Sequence, residues 1–162
     1  MIGPADLVAK LLDAHNRRDT GALVAAYARD ATVHRAEATA PIAATEWIEI
    51  REAMVESFPD LTFTAGRVAA AESTIMFEIQ ITGTNQGPLH LNDLDRLLLR
   101  INAQTLPPTG REMTIDGVVV LEVDEHLITA ERHFLNQAAT QEQLLLVAPG
   151  GQRSGHGGAG GS

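Results

Sequence analysis

The sequence predicts one α+β domain over residues 1–148, in which three N-terminal helices pack on an antiparallel sheet. Up to Phe58 the apolar residues recur with helical spacing, and beyond Pro59 they alternate with a period of two. The chain of 162 residues is 44% hydrophobic, which is enough to bury one continuous core without cross-links.

Leu7, Val8, Leu11, Leu12 and His15 fall on one helical face, and Pro4 and Asp6 stand near its start as N-terminal signals. Residues 16–19 break the pattern. Thr20 is placed to cap a shorter second helix carrying Leu23, Ala26 and Tyr27. A third helix from about Thr45 sets Trp47, Ile50, Met54 and Phe58 along one stripe before Pro59 ends it. Strands are expected over 61–64, 67–71 and 75–82, and a long hairpin over 115–123 and 127–135 turns at Asp124, Glu125 and His126. Between these lies an insert, 91–101, with Leu91, Leu94, Leu98 and Ile101 at helical spacing and Asn92 as a cap. This insert is expected to be a short helix at the rim of a pocket, where Arg96 and Arg100 could meet an anionic group. Residues 149–162 contain seven glycines and no large hydrophobe, the composition of a disordered tail.

Composition removes several classes of function. Cysteine is absent, so no disulfide, thiolate nucleophile or Cys-ligated metal centre is available. A net charge of -9 repels phosphate backbones, and no nucleic-acid partner is expected. No stretch approaches about 18 apolar residues, and the first residues lack a basic segment leading into an apolar one, so no membrane partner and a cytoplasmic location are expected. There is no phosphate loop after a strand, no dinucleotide fingerprint and no nucleophile elbow.

Chemistry concentrates on the last strand. Residues two apart share a face, so Glu131 and His133 project together while Arg132 and Phe134 project oppositely. A carboxylate beside an imidazole can hold one ring nitrogen and raise the basicity of the other, which suits proton abstraction next to a carbonyl. The competing assignment makes Ile128, Ala130 and Phe134 the buried face and leaves Glu131 and His133 solvated. Tyr27 and Trp47 are candidates for pocket walls or for the core. Glu131, His133 and His34 could supply three metal ligands, but Glu-x-His lacks the spacing of a zinc motif, and no metal or cofactor is expected.

Three helices followed by a curved antiparallel sheet form a restricted architecture, in which the helices close one side of a cone and leave a pocket inside. Four segments narrow it further: TGTNQGP at 82–88, LPPTGR at 106–111, GVVVLEV at 117–123 and ITAERHFLNQ at 128–137. In this order they resemble landmarks of the SnoaL-like polyketide cyclase (ester cyclase) family of the nuclear transport factor 2-like superfamily, across residues 5–146. The resemblance implies a pocket on the Glu131 and His133 face. It also implies an acid/base residue two positions after a histidine on this strand, serving an aldol ring closure. Aligned through Arg132 and Phe134, His133 takes the acidic position and Glu131 the histidine position, so the pair is reversed in order.

The resemblance further places His34 at the pocket mouth, where it could bind a substrate oxygen, and Asn136 where relatives carry an acid; an amide orients a carbonyl but exchanges no proton near neutrality. Gly117, Val119 and Leu121 stand at expected cavity positions and are apolar, which points to a hydrophobic ligand. The expected function is a cyclase or isomerase acting on a hydrophobic polyketide-like molecule. The alternatives are hydration or epoxide opening in the same pocket, or a binding module without catalysis. A homodimer through the outer face of the sheet, or a higher homo-oligomer, is expected.

Overall fold

The computed structural model describes residues 2–91 and 104–144. All of the expected insert helix beyond Leu91, and the glycine-rich tail at 149–162, lie outside the described residues. Helix α1 (Pro4–Asn16) begins with Pro4 in its first turn and buries Val8, Leu11, Leu12, Ala14 and His15, the stripe that spacing predicts. Helix α2 (Thr20–Ala26) is capped one residue earlier than expected: Asp19 Oδ1 accepts from Ala22 N at 2.9 Å. Tyr27 does not continue this helix. It opens strand β1 (Tyr27–Arg35), an element that helical spacing at Leu23, Ala26 and Tyr27 conceals.

The short strand β2 (Ile42–Ala43) leads into α3 (Ala44–Ser57), then β3 (Thr62–Ala71) and β4 (Thr74–Thr84). Two further strands, β5 (Leu89–His90) and β6 (Thr105–Leu106), make a separate small pair. The hairpin of β7 (Glu112–Asp124) and β8 (Leu127–Leu135) is followed by helix α4 (Gln137–Gln143). Six strands form one open, curved sheet in the order β2-β1-β8-β7-β4-β3. All pairs are antiparallel except β1 and β8, which run parallel and place Arg35 opposite His133.

Besides a register shift between Tyr27 and Thr32 where β1 meets β8, two irregularities shape this sheet. The stretches 61–64 and 67–71, which read as separate strands, are one strand with a bulge where Gly66 and Arg67 face Glu78; Arg67 seals it with an ion pair to Glu78 at 2.7 Å. On β8 the register skips Thr129, since Glu122 pairs with Ala130 and Val123 with Ile128. Side-chain parity changes there, so Ile128, Glu131 and His133 are all buried on the inner face.

The two motifs 82–88 and 106–111 meet at Asn85, which is fully buried. Its Nδ2 donates to Gly87 O at 3.0 Å, and its Oδ1 accepts from Thr109 N at 2.8 Å and Thr109 Oγ1 at 3.0 Å. A longer contact from Nδ2 reaches Ser57 O at the end of α3. A Cβ on Gly87 would lie 2.0 Å from Glu56 O, so only glycine fits this junction.

Candidate active site

Helix α3 decides the position of the cavity. Ala44, Ile48 and Arg51 turn into the core, whereas the stripe of Trp47, Ile50 and Met54 turns toward an opening between α3 and the sheet. The stripe is apolar because it walls a cavity of about 740 Å³, the size of a small-molecule site. Across from it stand Ile81 of β4, Met113 and Ile115 of β7, and His133 of β8. Helix α4 adds Ala138 and Thr140 to the wall and is tied to β7 by Gln143, whose Nε2 donates to Thr114 O at 2.8 Å. A smaller chamber of about 20 Å³ lies deeper, between α1 and the sheet; Trp47, Phe63, Ile81, Leu135 and His133 line both spaces.

The wall between these spaces carries a buried polar chain. Glu131 and His133 are 4% and 5% exposed, and His133 Nε2 is 2.5 Å from Glu131 Oε1. Tyr27 donates its hydroxyl to Glu131 Oε2, also at 2.5 Å. Burial opposes ionisation of Glu131, but the hydrogen bonds it accepts from His133 and Tyr27 outweigh burial and hold its pKa below the ordinary carboxylate range. Burial and the adjoining carboxylate push the Tyr27 phenol well above its usual range, so it remains a donor. An ionised Glu131 can only accept, so His133 donates Nε2–H to it and leaves Nδ1 as the lone-pair nitrogen. Trp47 meets this imidazole edge to face with ring centroids 4.7 Å apart, and its indole fixes the ring plane.

The other expected site residues are distributed as follows. Asn136 lines the cavity at the start of α4, and Trp47 is a wall residue. Val119 lines the deeper chamber only, and Leu121 is fully buried in the core. Tyr27 reaches the site through Glu131. His34 pairs with Arg132 in register, so it shares the outer face and lies off the cavity, with Nε2 3.2 Å from Ala38 O. The neighbouring Arg35, opposite His133, lines the cavity instead. Gly117 has no room for a side chain, since a Cβ would lie 2.4 Å from Phe134 O.

His15, read from spacing as a helix-face residue, lies behind the pair in the deeper chamber, 3% exposed. Burial is the main cause that lowers its pKa from 6.5 to about 4; Arg51, His133 and Arg18 add to the lowering and Glu131 opposes it. A histidine completing an i, i+4 apolar stripe gives no sign in sequence of what it faces.

Among the described residues, no three His, Asp or Glu side chains group as a metal site, and no helix is long and apolar enough to cross a membrane. No curated protein matches the sequence. Solved structures with the same fold include AclR of Streptomyces galilaeus, a suggested hydroxylase, at 18% identity and TM-score 0.70 over 87% of this chain and 80% of that one. IdmH of Streptomyces antibioticus, a suggested polyketide cyclase, superposes with TM-score 0.67 at 21% identity over 87% of this chain and 97% of that one. A SnoaL-like protein of Jannaschia sp. CCS1 superposes with TM-score 0.69 at 15% identity, over 87% and 90% of the two chains. At these identities the likeness establishes the fold. The SnoaL-like polyketide cyclase pattern matches residues 5–144, spanning the helices, the sheet and the Glu131–His133 strand, so the chain belongs to the SnoaL-like polyketide cyclase family.

Proposed function

We propose that the protein is a cofactor-independent cyclase or isomerase acting on a hydrophobic, polyketide-like molecule, with His133 as general base. Family and fold support a cyclase/isomerase-type function. The observation that carries the finer reading is the buried Tyr27–Glu131–His133 chain beside a largely apolar cavity. With Nε2–H given to Glu131, Nδ1 of His133 takes a proton from a carbon next to a substrate carbonyl. The imidazolium that forms is stabilised by the Glu131 carboxylate, which Tyr27 keeps ionised and oriented. The resulting enolate carbon attacks a second carbonyl, closing a ring, and His133 returns its proton to the new alkoxide. In an isomerase the proton returns to another carbon. The Asn136 amide at the wall orients the carbonyl, and the apolar walls exclude water from the enolate.

The test follows proton exchange in D2O at the carbon between the carbonyls of aryl 1,3-diketones, read by NMR. Wild type is expected to accelerate exchange, and His133→Ala to lose about 10²–10⁴ of that acceleration with its fold intact by circular dichroism. No acceleration by wild type with any probe the cavity binds, or full activity in His133→Ala, would overturn the reading.

The working unit proposed is a homodimer formed through the outer face of the sheet. Phe134 and Met76 support it, at 51% and 47% exposure on that face.

A further inference from the structure

Two residues that line the deeper chamber each carry a buried polar atom without a hydrogen-bond partner: Nδ1 of His15 and Nε1 of Trp47. A buried donor or acceptor left unpaired costs about 1–3 kcal/mol, so two on residues that line one small space point to a shared ligand. The ring of His15 packs against Phe63 at a centroid distance of 4.8 Å, and the backbone carbonyl of His15 receives the Arg51 and Arg18 guanidinium groups. The indole of Trp47 is fixed by its edge contact with His133.

Size and chemistry identify the ligand. A volume of about 20 Å³ exceeds the roughly 10–15 Å³ that one water needs and excludes a larger polar molecule. Buried waters typically make about three hydrogen bonds, and three residues lining this chamber, Trp47, His15 and Glu131, carry groups of the right kinds. The Trp47 indole N–H donates. The His15 imidazole, neutral in this environment, accepts at Nδ1. The Glu131 carboxylate, bonded once at each oxygen to Tyr27 and His133, has acceptor capacity left.

We propose that the chamber between α1 and the sheet is a binding site for one ordered water, held by the Trp47 indole N–H, His15 Nδ1 and the Glu131 carboxylate. The water extends the Tyr27–Glu131–His133 chain to α1. It makes Trp47 a positioning residue: the indole is held by the water on one side and holds the His133 ring on the other.

The chain contains one tryptophan, so its indole resonances are unambiguous. Water cross-relaxation is measured on Trp47 Hδ1 and His15 Hε1, carbon-bound protons that do not exchange with solvent. Both are expected to show water cross-peaks whose NOE and ROE have opposite sign, the signature of a water held at its site rather than exchanging on the sub-nanosecond scale. Absence of those cross-peaks when both protons are observed would overturn the proposal. In His15→Phe the Trp47 cross-peak should vanish, because the ring fills the space and removes an acceptor; its persistence would also overturn the assignment. Should that variant not fold, the wild-type measurement decides alone. A crystal structure showing the chamber empty, or filled by the alkyl end of a ligand, counts equally against it.

Discussion

Glu131 is a carboxylate with almost no access to solvent, so every donor around it carries weight. Removing the Tyr27 hydroxyl takes away a hydrogen bond to a buried charged group, worth about 1.5–3 kcal/mol. Tyr27→Phe is therefore expected to lower stability by that amount in chemical denaturation, and the loss should shrink once Glu131 is protonated in acid. An equal loss at all pH values would show that the phenol does not act through the carboxylate. His15 has its own pH signature. Its folded pKa of about 4 lies below the unfolded 6.5, so on acidification the unfolded chain takes up a proton first and stability falls through that window. Between pH 7.5 and 5 wild type should lose about 2 kcal/mol from this residue, and His15→Gln should flatten the slope. An unchanged slope in His15→Gln would assign the pH dependence to other groups.

The β7–β8 hairpin carries both the catalytic candidates and a point of strain. Its two-residue turn places Glu125 at φ 46° and His126 at φ 74°, the left-handed geometry of a type I′ turn that glycine and asparagine favour. His126→Gly is expected to raise stability by about 1 kcal/mol, relieving a conformation that costs an L-residue roughly 1–2 kcal/mol. A fall in melting temperature would mean that the His126 side chain makes a stabilising contact. The same hairpin shows what alternation in sequence can and cannot specify. Both strands are legible, yet the skipped Thr129 reverses the parity between Ile128 and Glu131, so no single alternating face describes β8. The choice between a buried and a solvated Glu131–His133 pair rests on that one residue. Helix α4 was not legible at all: QAATQEQ has no apolar stripe, and its docking depends on Gln143 pairing with the backbone of Thr114.

In the whole molecule, the inner and outer faces of the sheet differ in what they expose. The outer face exposes Phe134 and Met76, with Val118 and Val120 half-buried near them, and the proposed dimer would cover this area. Light scattering at micromolar concentration should give twice the mass of the chain, and Phe134→Asp should return the monomer. A monomeric wild type would refute the interface. Deleting residues 149–162 should leave the melting temperature within about a degree, since those residues offer no large apolar group to bury. A larger drop would show that they dock.

The sequence by itself determined the three helices, the long hairpin, the family and the pairing of a carboxylate with an imidazole, because periodicity and motif order are local properties of the chain. Only the tertiary structure decided which neighbours those residues acquire. It removed His34 from the cavity and brought in Arg35 through the parallel register of β1 and β8, and it moved Tyr27 from a helix end to the carboxylate of Glu131. It also set His15 behind the Glu131–His133 pair, 116 positions from Glu131 in sequence. The reason is physical: a side chain's direction on a strand depends on bulges and register, and its electrostatic environment depends on residues that meet only when the sheet curves around the helices.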